Sequence, residues 1–177
     1  LRESVSAAAE QAALNRSALG YQRKNLLKNT RSSNTTTLQG VTFVTNGDGS
    51  ITVNGTATAT ATLRAYTVHL VPGMTYTLSG CPKGGSSSTY RLYGLDATNW
   101  NGAGSDYGEG SIFTAGDYTV WEFRISVYTG YTAENLTFYP MLRHADITDG
   151  TYEPYKPSVE EYIADLEARV AALEGGV

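Results

Sequence analysis

Val41-Thr42-Phe43-Val44-Thr45-Asn46-Gly47-Asp48-Gly49-Ser50-Ile51-Thr52-Val53 decides the fold class. Val41 and Phe43 share one face, Ile51 and Val53 share one face of the return, and polar residues fill the alternate positions. A period of two is the signature of a half-buried strand. Asn46-Gly47 and Asp48-Gly49 tolerate φ > 0, so the stretch predicts a β-hairpin. Asp48 has the oxygen ligands calcium wants, but a plain turn accounts for it better.

The same texture extends from 34 to 144. Twelve of these 111 residues are charged, against six of the 17 from 158 to 174. Period-two runs recur at Tyr66-Val68-Leu70, Met74-Tyr76-Leu78, around Leu92, at Trp121-Phe123-Ile125-Val127 and at Leu136-Phe138-Leu142. Pro72-Gly73, Pro82-Lys83-Gly84-Gly85 and Thr129-Gly130 punctuate them. Roughly eight or nine short strands without helical periods predict an antiparallel β-sandwich of jelly-roll type. A parallel sheet is excluded because no crossover helix is available.

Alternation also assigns faces. From 118 to 128, Trp121, Phe123, Ile125 and Val127 are expected inward, and Val120, Glu122, Arg124, Ser126 and Tyr128 outward. From 136 to 143, Leu136, Phe138 and Leu142 are expected inward, and Thr137, Tyr139, Met141 and Arg143 outward. With Arg64, His69, Arg91 and Tyr93, these outer faces offer a surface for a ligand or for a neighbouring subunit. The pattern does not choose between the two.

The flanks follow another rule. Val159, Ile163, Leu166, Val170, Leu173 and Val177 are spaced 4, 3, 4, 3, 4, a heptad repeat with Ile163, Val170 and Val177 at a and Val159, Leu166 and Leu173 at d. The stripe is too narrow for a globular core and suits a neighbouring helix. Ser158 with Glu161 forms a capping box after Pro157. Arg169-Val170-Ala171-Ala172-Leu173-Glu174 resembles a short coiled-coil trimerisation motif, in which Arg169 would fork onto a Glu174 carboxylate of the next chain. Three chains are the favoured reading, over two or a lone helix folded back on its domain. Leu1, Val5, Ala8, Ala12, Asn15 and Leu19 repeat the spacing with a small-residue seam, as at the end of a longer upstream coiled coil. The divisions expected are an N-terminal coiled-coil helix (1–24), a β-sandwich (25–145), a linker (146–157) and a C-terminal trimeric coiled coil (158–177). The chain starts at Leu1, already helix-like, and reads as a segment of a longer protein.

Composition narrows the function classes. The 177 residues carry a net charge of −4, which leaves no basic footprint for nucleic acid. No apolar run approaches a membrane span, so neither nucleic acid nor membrane insertion is expected. The single Cys81 makes no intrachain disulfide, and no metal or cofactor constellation emerges. His69 and His144 stand in no triad or ligand spacing. Asp96, Asp106, Glu109 and Asp117 lie in Gly-rich turns; glycoside hydrolysis needs two carboxylates facing one bond, and nothing in the pattern suggests a deep, carboxylate-lined cleft. The expectation is not an enzyme.

One loop, 96–110, sets Trp100 and Tyr107 among Asn99, Asn101, Asp106 and glycines. Indole planes stack on the C–H faces of sugars, and Asn and Asp supply hydrogen bonds to hydroxyls. Trp100, Tyr107, Asn99, Asn101, Asp106 and Tyr93 are therefore the candidate carbohydrate contacts. The plainer alternative folds the loop back, with Trp100 closing the sandwich end or a subunit interface.

Several runs carry a resemblance: Lys24-Asn25-Leu26-Leu27-Lys28-Asn29, Gly40-Val41-Thr42-Phe43, Asp48-Gly49-Ser50-Ile51-Thr52-Val53-Asn54-Gly55-Thr56, Tyr76-Thr77-Leu78-Ser79-Gly80-Cys81-Pro82, Leu136-Thr137-Phe138-Tyr139-Pro140-Met141-Leu142-Arg143 and Tyr152-Glu153-Pro154-Tyr155-Lys156-Pro157. As an ordered set over about 25 to 157 they resemble modules of phage and prophage tail proteins from Gram-positive bacteria. The resemblance implies a carbohydrate-binding-module-like jelly roll on a trimeric tail fibre or baseplate protein of the virion, touching the host envelope. It brings no fixed catalytic or ligand residues. The expected function is a homotrimeric receptor-binding segment for a host cell-surface glycan, with the oligomer held by Val159, Ile163, Leu166, Arg169, Val170, Leu173 and Glu174. The rival is a structural spacer of the fibre without a ligand.

Overall fold

The computed structural model describes residues 24–29, 31 and 33–174. The described residues are mainly β with one C-terminal helix, and every strand pairing among them is antiparallel. The strands are β1 (Thr35–Leu38), β2 (Val41–Thr45), β3 (Ile51–Thr56), β4 (Ala61–His69), β5 (Thr75–Ser79), β6 (Tyr90–Asp96), β7 (Gly102–Asp106), β8 (Ser111–Thr114), β9 (Val120–Val127), β10 (Thr132–Phe138) and β11 (Met141–His144), followed by helix α1 (Val159–Glu174). They form three sheets, ordered β1-β2-β3-β10, β11-β5-β8 and β4-β9-β6-β7. Among the described residues the eleven strands exceed the eight or nine read from periodicity, because β1, β7 and β8 carry no alternating apolar run and the run 136–142 divides between β10 and β11.

The opening hairpin forms as its sequence dictates. Thr45 pairs with Ile51, and the Asn46 N–H donates to the Ser50 carbonyl at 2.8 Å. Asp48 Oδ1 accepts from both the N–H and the hydroxyl of Ser50 at 3.0 and 2.6 Å, so its carboxylate serves the turn. Val41, Phe43, Ile51 and Val53 are buried in a core that also takes Leu63, Leu92, Phe123, Ile125 and Val127 from the third sheet and Tyr76, Leu78 and Leu142 from the second. Ring pairs join the sheets: Tyr90 of β6 meets Phe138 of β10 at 5.8 Å, and Phe113 of β8 meets Phe123 of β9 at 6.2 Å.

In the runs 118–128 and 136–143, three positions read as outward are buried: Met141, Arg124 and Ser126. Met141, expected outward, is buried, because Pro140 breaks the run into β10 and β11 and β11 joins a different sheet. Leu142 joins the common core, whereas Met141, its neighbour on the strand, points to the other face and is covered there. Arg124 and Ser126 do stand opposite the core on β9, yet only 7% and 2% of their surface is exposed. Other side chains cover them.

Asn25 fastens the ends of the β body together. Its Nδ2 donates to the carbonyls of Pro140 and Glu153, and its Oδ1 accepts from the N–H groups of Leu27 and Leu142. Beside it Lys24 meets Asp149 at 2.7 Å, and Lys28 meets Glu161 at 3.4 Å. The incoming segment therefore lies against the outgoing one, at one end of the body. The capping box forms: Glu161 N–H donates to Ser158 Oγ at 3.1 Å, and Glu161 Oε2 accepts from Ser158 N–H at 2.9 Å. Beyond it α1 leaves the body with Val159, Ile163, Leu166, Val170 and Leu173 all exposed. The N-terminal helix expected over 1–24, apart from Lys24, and Val177 of the seam lie outside the described residues. Among the described residues no helix is long and apolar enough to cross a membrane.

Candidate functional site

The candidate residues start from a turn built around Asp96 at the end of β6. Its buried carboxylate accepts the N–H groups of Thr98, Asn99 and Asn101 at 3.0, 2.5 and 2.9 Å. Burial pushes that carboxyl up, but the N–H donors from Asn99, Asn101 and Thr98 outweigh it and hold it below its ordinary value. The turn sets Trp100 at φ 61°, a left-handed conformation that costs a bulky residue roughly 1–2 kcal/mol.

Trp100 keeps 51% of its surface exposed and folds back across the outer face of the β4-β9-β6-β7 sheet. The guanidinium carbons of Arg124 and Arg64 lie 4.7 and 5.7 Å from its ring centroid. Such contacts contribute about 0.5–2 kcal/mol each, depending on desolvation. Trp100 thus closes neither the end of the β body nor any gap in its core.

Register puts the rest of this face in order. Arg124 lies opposite Arg64 of β4 on one side and Tyr93 of β6 on the other, and Tyr93 lies opposite Ser105 of β7. Arg91, two residues before Tyr93, lays its guanidinium 3.9 Å from the Tyr93 ring centroid, with Tyr128 at 5.8 Å. Its Nη1 donates to Ser105 Oγ at 3.3 Å, while its Nε is buried without a partner among the described residues. Arg124 Nε donates to Glu122 Oε2 at 3.0 Å, and Ser126 Oγ donates to Tyr93 Oη at 3.4 Å. The result is a strip of alternating rings and guanidinium planes running from Tyr128 through Arg91, Tyr93 and Arg124 to Trp100 and Arg64.

The candidates therefore divide. Trp100 and Tyr93 belong to this strip, but Tyr93 is buried, 8% exposed with Arg91 over its ring, so it supports the strip and is withdrawn as a direct sugar contact. Asn101 borders a separate hollow of about 400 Å³ between β7 and β8, with Gly102, Thr114, Asp117 and Tyr118. Asn99 is exposed in the turn. Asp106 is fully buried: its carboxylate accepts from the N–H groups of Cys81, Gly108 and Gly110 at 2.9, 2.7 and 2.8 Å, so it holds backbone and is withdrawn as a sugar contact. Tyr107 follows it at the far end of β7, about 16 Å of strand from the Trp100 turn at 3.3 Å per residue. The stretch 96–110 is accordingly two tight turns joined by edge strand β7. Arg64, Arg91 and Arg124 were legible as outward residues, but no local signal announced that Trp100 would lie over two of them. Comparison with protein-family models, with curated proteins and with solved structures gives no match.

Proposed function

We propose that this chain is a homotrimeric receptor-binding segment of a phage tail fibre, with the three sheets arranged as a jelly-roll sandwich that holds a host cell-surface glycan. Trp100 carries the binding reading: a strained, half-exposed indole on the outer face of a sheet adds little to the fold and presents a stacking plane to a sugar ring. The trimer reading is supported by the apolar stripe of α1, exposed from Val159 to Leu173 in a single chain. A helix of 16 residues is marginal alone in water, so copies of the seam, with Arg169 and Glu174 forked between chains, are what would hold it. Three weak sites on one axis gain by avidity on a repetitive wall polymer.

The spacer reading is weaker on one geometric ground. A spacer lengthens a fibre when its chain comes in at one end and goes out at the other. Here Lys24 touches Asp149 and Lys28 touches Glu161, so the β body hangs beside the shaft as a lobe. A glycan array probed with the purified chain tests the binding. Reproducible signals that Trp100→Ala removes, with circular dichroism unchanged, support adhesion; a blank array returns the lobe to a structural role.

A further inference from the structure

We propose that the outer face of the β4-β9-β6-β7 sheet binds an acidic sugar unit, with Trp100 stacked on the ring and Arg64 and Arg91 holding its carboxylate or phosphate. The inference rests on the glycan-binding reading above and names the ligand class. Three guanidinium groups share this face with one carboxylate, Glu122, and Glu122 is already engaged by Arg124. Arg64 stands directly across from Arg124, a like-charge cross-strand pair in which Glu122 offsets Arg124 and no carboxylate is paired with Arg64 among the described residues. Among the described residues no acceptor meets the Arg64 guanidinium; its one contact is the Trp100 ring. The Arg91 guanidinium lies over the Tyr93 ring with Nη1 on Ser105, and its Nε is a buried donor without an acceptor among the described residues. Buried guanidinium donors are ordinarily satisfied, and bidentate pairing with a planar carboxylate or a phosphate is the geometry that guanidinium matches.

Dimensions fit a short oligosaccharide. Arg64 and Tyr93 lie two strand spacings apart, about 10 Å, so a chain of two or three sugars crosses the face from Trp100 to Arg91. A nucleic acid is disfavoured by the chain's net charge of −4, which repels a long polyanion away from this local patch.

The test titrates the full 177-residue chain with oligogalacturonate, its carboxyl-reduced neutral counterpart, polyglycerol phosphate and a single-stranded oligonucleotide, by calorimetry. Wild type is compared with Arg64→Gln and Arg91→Lys. Arg64 is exposed, so its variant keeps the fold; near-UV circular dichroism checks both. Binding is expected to oligogalacturonate if a carboxylate is the group recognised, or to polyglycerol phosphate if a phosphate is. It should weaken about tenfold or more in either variant and fall with added salt, as loss of a charge-assisted hydrogen bond predicts. Arg91→Lys keeps the charge and loses the planar fork, so its defect separates geometry from mere charge. Neutral sugars bound as tightly as charged ones, with both variants like wild type, overturn this proposal and leave the glycan reading standing. Binding to none of the polymers overturns this proposal, and the glycan array then decides the glycan reading separately. Tighter binding to the oligonucleotide with the same arginine dependence replaces the sugar by a nucleic acid and overturns the proposal.

Discussion

Trp100 joins two opposed energies at one residue. Its left-handed backbone costs roughly 1–2 kcal/mol, and its contacts with Arg124 and Arg64 return an amount of the same order. Trp100→Gly removes both at once, since glycine adopts that φ freely. The unfolding midpoint should stay within about 3 °C of wild type, while glycan binding is lost. A large drop in the midpoint would make Trp100 a fold residue and end its role as a stacking plane. Cys81 is the opposite kind of residue, buried, with its thiol pushed up to about 12 by burial first and by the Asp106 charge second. A thiol held in that state is not a nucleophile. A disulfide reagent at about pH 8 should therefore leave the native chain unlabelled and react with one equivalent once denaturant is added; fast labelling of the native chain would contradict the buried placement.

At the scale of elements, strands and helix differ in where their stability originates. The β2–β3 hairpin is supported locally by its turn and then by Val41, Phe43, Ile51 and Val53 in the core. Helix α1 has its capping box and the contacts of Glu161 with Tyr155 and Lys28, and beyond its first turn its apolar residues face outward. Its seam finds no burial among the described residues, and on the proposed trimer copies of the chain supply it. Leu173, 78% exposed, is the sharpest probe. If the seam holds the proposed trimer, sedimentation equilibrium of the Leu173→Asp variant should give a lower mass than that of the parent chain. An unchanged mass would show that the seam takes no part in assembly. The capping box, the heptad spacing and the hairpin were legible because each is a local pattern of a few residues. The break at Pro140 was visible as a proline, but the burial of Met141 was not, since it follows from β11 joining another sheet.

Across the whole molecule, the clamp that joins the incoming and outgoing segments makes stability depend on acid. Lys24 foremost, with Thr151, holds the Asp149 carboxyl well below the ordinary aspartate range. A carboxyl whose folded value is lowered stabilises above its unfolded value, about 4, and that contribution drains as pH falls toward the folded value. Asp96 and Asp48, both lowered by hydrogen bonds in their turns, act in the same direction. Thermal melts from about pH 5 to about pH 2 should therefore show a falling midpoint, flattened in part by Lys24→Met. An unaltered slope in that variant would mean the pair does not fasten the two segments.

Period-two alternation, turn dipeptides and a heptad stripe determined by themselves that this chain builds antiparallel β structure and a capped terminal helix with an apolar seam, because each depends on residues a few positions apart. Only the tertiary structure decided which outward residues meet. Arg64, Arg91, Tyr93, Trp100 and Arg124 come from three strands and a turn, and their assembly depends on the strand order β4-β9-β6 and on the backbone angle at Trp100. Strand order is set by the packing of one shared core, and no local spacing encodes it.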